Sequence, residues 1–173
     1  YILVGAAAGT PLGASGVVYY LMAYLVTNLA AFGVVAAVSS SAGSDEITAF
    51  SGLHRRNPSL ALVLGAALLS LGGVPVFAGF FGKFLVFASA VQAGAVWLAV
   101  VGVLNAVVGL YYYLNLLKVM YLDPAPEGSA PLPALFPWKA ALFICAAGIL
   151  ILGFVYRPWY FWADLAAQML FLH

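Results

Sequence analysis

The sequence predicts an all-α, polytopic transmembrane helix bundle of about four full spans plus a partial leading helix, with one span broken near its centre. Three observations carry this. Of the 173 residues, 66% are apolar and 15% aromatic, and the mean hydropathy is +1.11. Only 6% are charged, against about 25% in a soluble domain, too few to clothe a water-facing surface. The charges that exist fall in short stretches between apolar runs long enough for a hydrocarbon core of about 30 Å, which takes about 20 residues.

Taken in order, residues 1 to 44 carry no charge. Pro11 to Gly16 splits them into a short leading stub and a span over 14–38. The polar stretch Ser39 to Arg56, with Asp45, Glu46, His54, Arg55 and Arg56, is expected to be a water-exposed loop. It ends at Asn57-Pro58, a favourable helix start.

The next apolar region, 59–92, holds 34 residues, which as one straight helix would run about 51 Å. That is too long for one span and short for two. Its middle reads Gly72-Gly73-Val74-Pro75 and then Ala78-Gly79, glycines that loosen a helix and a proline that removes one of its hydrogen bonds. One span built from two half-helices, broken at Gly72, Gly73, Pro75 and Gly79, is predicted.

A span over 95–122 follows, then a Pro-rich loop from Asp123 to Pro137, then a span over 138–156. The tail, 157–173, carries Trp159, Tyr160, Phe161 and Trp162. Aromatic rings of this kind favour the membrane interface, so the tail is expected to lie along the surface, with Asp164 in water.

With a single broken span, Arg55, Arg56, Lys118 and Lys139 share one side and Arg157 stands on the other. Lys and Arg accumulate in the cytoplasm, so the C-terminus is expected outside. Were the broken region two spans, the count would fall to three against two, which is barely a bias.

Six Lys and Arg against five Asp and Glu give a net charge of +1, which offers no nucleic-acid partner. The surrounding partner is lipid. The one cysteine, Cys145, excludes an internal disulfide framework and a multi-cysteine metal site. No Gly-x-Gly-x-x-Gly, Walker, His-Glu-x-x-His or Cys-x-x-Cys pattern occurs, so neither a cofactor-binding nor a metal-binding residue is expected. The chain begins at Tyr1 inside an apolar run with no charged region before it, as part of a longer polypeptide would.

The 61 residues from Asn57 through Leu117 contain a single charged side chain, Lys83. A lysine at membrane depth costs about 2.5 to 3.5 kcal/mol on insertion scales, so it persists where a buried partner or a water path receives it. Lys83 follows Gly79-Phe80-Phe81-Gly82, just after the expected break, where freed carbonyls and internal water can solvate an ammonium. Desolvation favours a neutral amine and a carboxylate neighbour favours the ammonium, so such a lysine can be tuned to load and release protons. The alternative is snorkelling, with the nitrogen among the headgroups; the adjacent break favours the buried, functional lysine. Lys118, near the end of its span, fits snorkelling better. Asn115, Asn105, Thr27 and Asn28 fit interhelical packing or a water chain. Tyr112 and its neighbours Tyr111 and Tyr113 could relay protons or act as interfacial anchors, and His54 is expected to be solvated.

The segment from Leu69 to Phe84, with Gly72-Gly73-Val74-Pro75 and Gly79-Phe80-Phe81-Gly82-Lys83, closely resembles the broken helix of the antiporter-like membrane subunits of respiratory complex I. Gly109-Leu110-Tyr111-Tyr112-Tyr113-Leu114 is similar to the subunit N branch of that family, as are Ala31-Phe32-Gly33-Val34-Val35 and Asn57-Pro58. The resemblance implies a fourteen-helix subunit of the bacterial inner membrane, of which this chain would be the last third, and a C-terminus on the outer side. It implies that Lys83 carries protons in a chain of buried charges; Lys118, Asn115 and Tyr112 are this sequence's further candidates for a proton path. Some relatives carry a basic residue where this chain has Asn115.

The family's other key charged residues would precede Tyr1. NADH, FMN, iron-sulfur clusters and quinone are implied for the whole complex and none for this chain. The implied partners are other membrane subunits, antiporter-like subunit M and small subunit K among them. A Mrp-type cation/proton antiporter or membrane-bound hydrogenase subunit shares the broken helix and the lysine, and a structural scaffold with a snorkelling Lys83 is a third reading.

Overall fold

The computed structural model describes residues 1–126 and 136–170. These form eight α-helices and one short 3-10 turn, in the order α1 (Ile2–Ala7), α2 (Pro11–Ala42), the turn (Ile47–Phe50), α3 (Leu53–Arg56), α4 (Pro58–Gly72), α5 (Ala78–Gln92), α6 (Val96–Tyr121), α7 (Phe136–Phe154) and α8 (Tyr156–Gln168). No strand occurs among the described residues.

Helix α2 is the spine. It begins at Pro11 rather than near residue 14, because proline at the first helical position donates no hydrogen bond that the helix needs, and Thr10 caps the start by accepting from the Gly13 N–H at 3.0 Å. The interruption therefore sits at Ala8–Thr10, before the proline. Helices α4, α5, α7 and α8 all pack on α2. Its contact face is made of small and hydroxyl residues, including Gly13, Ser15, Gly16, Ala23 and Thr27. A Cβ on Gly16 would lie 3.1 Å from the Leu85 Cβ, and one on Gly82 of α5 would lie 3.0 Å from the Tyr20 Cα. Backbones brought this close are how helices associate in lipid, where burying more Leu or Val gains nothing over leaving it in the acyl chains.

Residues 39–56 are not a simple solvated loop. α2 runs on to Ala42, and the chain then folds back to bury Phe50 and Leu53. His54 is not freely solvated: its Nδ1 lies 2.9 Å from the Met120 carbonyl at the end of α6, and Arg56 donates to the Ala49 carbonyl at 2.8 Å. The His54 ring thereby meets one of the carbonyls at the end of α6 that lack a helical partner. Most of the Pro-rich loop expected over 123–137 lies outside the described residues.

Helices α2 and α6 are each long and apolar enough to cross a membrane alone. Helices α4 and α5, at 15 residues each, are not. Beyond Phe154 the chain turns by 83° into α8. Asp164 on α8 is not simply in water, since it accepts from the fully buried Ser15 hydroxyl of α2 at 2.8 Å and from Gln168 at 2.7 Å. Ala163 and Ala167 complete the seam.

Candidate functional site

Helix α4 ends because Gly73 takes a left-handed conformation, φ +79°. Its N–H returns to the Ser70 carbonyl and that of Val74 to the Leu69 carbonyl, both at 3.0 Å. This is the Schellman arrangement, which needs a residue without Cβ strain at that position. It satisfies the carbonyls of residues 69 and 70 and leaves those of Leu71 and Gly72 to find other partners. Pro75 cannot continue the helix. Val76 then takes φ +87°, a conformation that costs a β-branched residue of order 1–3 kcal/mol and persists only where the surroundings impose it. The surroundings are visible: a Cβ on Gly153 of α7 would collide with the Val76 carbonyl, so α7 presses its own backbone on the break.

Two links tie the half-helices together. The Ser70 hydroxyl accepts from the Gly79 N–H at 3.1 Å, satisfying a free donor of α5, and it pairs with the Thr27 hydroxyl of α2 at 3.0 Å. All three residues are buried. The second link is Lys83, whose Nζ donates to the Leu71 carbonyl at 2.6 Å. The lysine reaches back across the break and caps α4, where the dipole is negative and a carbonyl is without a helical partner. The face of the Tyr1 ring stands 4.6 Å from the same nitrogen, a cation–π contact. Only 6% of Lys83 is exposed.

The depth of this arrangement follows from α2. Gly82 lies against Tyr20, and Ser70 against Thr27. Those positions are about 14 and 24 Å along a helix of about 48 Å, at 1.5 Å per residue, which puts the break near mid-helix.

Lys83 also borders a cavity of about 310 Å³ shared with Tyr1, Tyr20, Tyr24, Leu71 and Tyr113. Among the residues singled out from sequence, Gly72, Gly73, Pro75 and Gly79 all lie at the interruption between α4 and α5. Tyr112, Asn115 and Lys118 do not reach Lys83: all three are exposed on α6. Tyr113 is the member of the tyrosine run that turns toward the lysine. Sequence reasoning missed Ser70, Tyr20 and Tyr24, and it gave Thr27 either interhelical packing or a water chain; hydroxyls three to four residues apart along the otherwise apolar α2, at Tyr20, Tyr24 and Thr27, were the available signal.

A helix bundle with a mid-depth break, and a buried lysine spanning it, defines a membrane protein of the antiporter-like class. The model of the NADH:quinone oxidoreductase/Mrp antiporter transmembrane family matches residues 1–109, and the chain belongs to that family. It is 37% identical over 156 residues to NADH-quinone oxidoreductase subunit N of Phocaeicola vulgatus, covering 90% of this chain and 33% of that protein. It is 43% identical over 147 residues to subunit N 1 of Roseiflexus castenholzii, covering 82% and 26%. A chain of respiratory complex I from Thermus thermophilus superposes with a TM-score of 0.72 at 34% identity, over 85% of this chain and 34% of that one. A chain of the Mrp complex of Dietzia shares the fold, with a TM-score of 0.84 at 22% identity over 96% and 39%. The chain spans about a third of the length of the relatives it matches.

Proposed function

We propose that this chain is the C-terminal part of a proton-translocating membrane subunit of NADH:quinone oxidoreductase, equivalent to subunit N, and that Lys83 is its proton-transfer group. The observation that carries the proposal is the buried Lys83 bridging the break at mid-depth. Among the described residues its hydrogen-bond acceptor is a backbone carbonyl, so no carboxylate there fixes its charge. Such an amine loses its proton by weakening one hydrogen bond and giving up one cation–π contact, and a shift in the charge or hydration around it is enough to load or unload it.

Redox chemistry would belong to other subunits, which carry NADH, FMN, iron-sulfur clusters and quinone, and the chain would take part in the enzyme as a translocase without a redox centre of its own. Antiporter-like subunit M and small subunit K are the proposed neighbours. The proposed crossings are α2, α4 with α5, α6, and α7. Helix α8 would lie in the interface at the level of Ser15, with the C-terminus outside. The 83° turn after Phe154 supports that placement, as does the excess of Lys and Arg at the opposite end.

The test is Lys83→Met in the full-length subunit, with NADH oxidation and proton translocation measured together in membrane vesicles and assembly of the complex checked in parallel. Loss of both activities in an assembled complex is expected. Normal activities would leave Lys83 a structural cap and remove the proposal.

A further inference from the structure

Lys83 needs somewhere to send its proton, and the Leu71 carbonyl cannot take it, because an amide oxygen is far too weak a base. Lys83 also borders two cavities, one of about 220 Å³ whose other lining residues are apolar and one of about 310 Å³ that carries polar groups. At roughly 30 Å³ per liquid water the larger has room for about ten molecules. Its polar side chains are Lys83 and four tyrosines, Tyr1, Tyr20, Tyr24 and Tyr113. Among the described residues no acid and no histidine lines it. Tyr20 is only 7% exposed, with its ring edge-on to Tyr1 at 6.0 Å and stacked on Tyr24 at 5.8 Å. Tyr24, 44% exposed, forms the rim.

A phenol is both donor and acceptor. It can take a proton on its oxygen from one water while releasing its own to another, and it ends the exchange neutral. Aliphatic walls offer nothing comparable. Within the run Tyr111-Tyr112-Tyr113 the rotation of α6 separates the roles: Tyr111 and Tyr112 are 69% and 66% exposed, whereas Tyr113 is half-buried and faces the cavity.

We infer that this cavity is a hydrated proton vestibule serving Lys83, and that the Tyr113 hydroxyl is its relay. The inference rests on Lys83 being the proton-transfer group. In the loading step, a hydronium in the vestibule gives a proton to the Tyr113 oxygen, the hydroxyl's own proton passes through a bridging water to the neutral Lys83 amine, and the amine becomes an ammonium. Unloading reverses the sequence. One proton moves, the phenol is regenerated, and no oxidant or reductant takes part.

The experiment compares Tyr113→Phe, Tyr112→Phe and Lys83→Met in the full-length subunit within the assembled complex, reading NADH-driven proton translocation, its pH profile and its solvent deuterium isotope effect. Phenylalanine keeps the ring and its packing and removes only the hydroxyl. Tyr113→Phe is expected to slow translocation about tenfold, less than the roughly 100-fold brought by losing a direct proton donor, because water can occupy the vacated position. It is also expected to raise the isotope effect and move the pH profile, which a purely structural role would not do. Tyr112→Phe is expected to translocate normally.

If Lys83→Met abolishes translocation and Tyr113→Phe leaves rate, isotope effect and pH profile unchanged, the relay is overturned while the lysine stands. If Lys83→Met is itself silent, the underlying proton-site assignment fails, and the relay with it. Should Tyr113→Phe reduce the amount of assembled complex, Tyr24→Phe reads the same vestibule from its rim: a slowed rate with a raised isotope effect supports it, and a normal one overturns it.

Discussion

Helices α2 and α6 are alike in composition and unlike in use. Both are apolar and long enough to cross a membrane, yet α2 buries eleven residues and α6 three, Ala99, Gly102 and Met120. The large apolar side chains of α6, such as Val100, Leu104, Val107 and Tyr111, point outward. In lipid that arrangement carries little penalty, because acyl chains solvate valine as well as another helix does. Hydropathy therefore identifies a span without saying which face is bound. What distinguishes α2 is its row of glycine, alanine, serine and threonine, which brings neighbouring backbones close and supplies the hydroxyls that hold the break.

The largest effect expected from this difference is steric. A Cβ on Gly82 meets the Tyr20 backbone at 3.0 Å, so Gly82→Leu must push α5 off α2 and should destabilise the subunit by about 3 kcal/mol. Gly109→Leu on α6, whose nearest neighbour would be the Tyr113 ring at 3.8 Å, should be tolerated. Subunit abundance and native-gel assembly read the pair. Equal losses would show that α6 is as tightly constrained as α2.

A smaller effect is expected at the hydroxyl link. Ser70→Ala removes the acceptor for the Gly79 N–H and the partner of the Thr27 hydroxyl in a buried place. An orphaned buried donor costs about 1–3 kcal/mol, so the purified complex should melt earlier. Thr27→Val should cost less, since it removes one bond and leaves the Gly79 contact in place, and Thr27→Ser should restore the original stability. At the other end of α2, Asp164→Ala leaves the buried Ser15 hydroxyl its Pro11 carbonyl at 2.9 Å, and a loss of about 1 kcal/mol is expected; Asp164→Asn, which keeps an acceptor, should recover most of it.

Much of this architecture was legible in the residues. Gly73 followed by Pro75 announces the helix stop, and the one charge in the 61 residues from Asn57 through Leu117 singles out Lys83, which the fold buries. What was not legible depends on rotation about helix axes. Pro11 reads as a divider although it opens α2, because proline fits on either side of a helix start. Asp45, Glu46 and Arg55 are exposed as a solvated stretch requires, but His54 and Arg56 read the same way in sequence, because the burial of Phe50 and Leu53 beside them needs the end of α6 to be in place. The run Tyr111-Tyr112-Tyr113 reads alike at each position, although a single residue step on a helix turns the side chain by about 100°, and of the three Tyr113 borders the cavity at Lys83. The positive φ of Val76 had no signal at all, being imposed by Gly153 about eighty residues away.

The smallest effect is the one that separates the two lysines. Lys83 and Lys118 each interrupt an apolar helix of this chain, and a charge count treats them alike. Lys83 is 6% exposed and caps a half-helix; Lys118 is exposed in the last turn of α6. A cation in that turn gains about 0.3–1 kcal/mol from the helix dipole, and removing an exposed one changes stability by about 0.5 kcal/mol or less. Lys118→Gln, alone or with Asn115→Ala, should thus leave the complex assembled and its proton translocation within about twofold of normal, since a change of that size in free energy is a factor of about two. If translocation instead fell as far as in Lys83→Met, the exposed face of α6 would carry part of the proton path, and the separation of the two faces of the tyrosine run would no longer follow from burial.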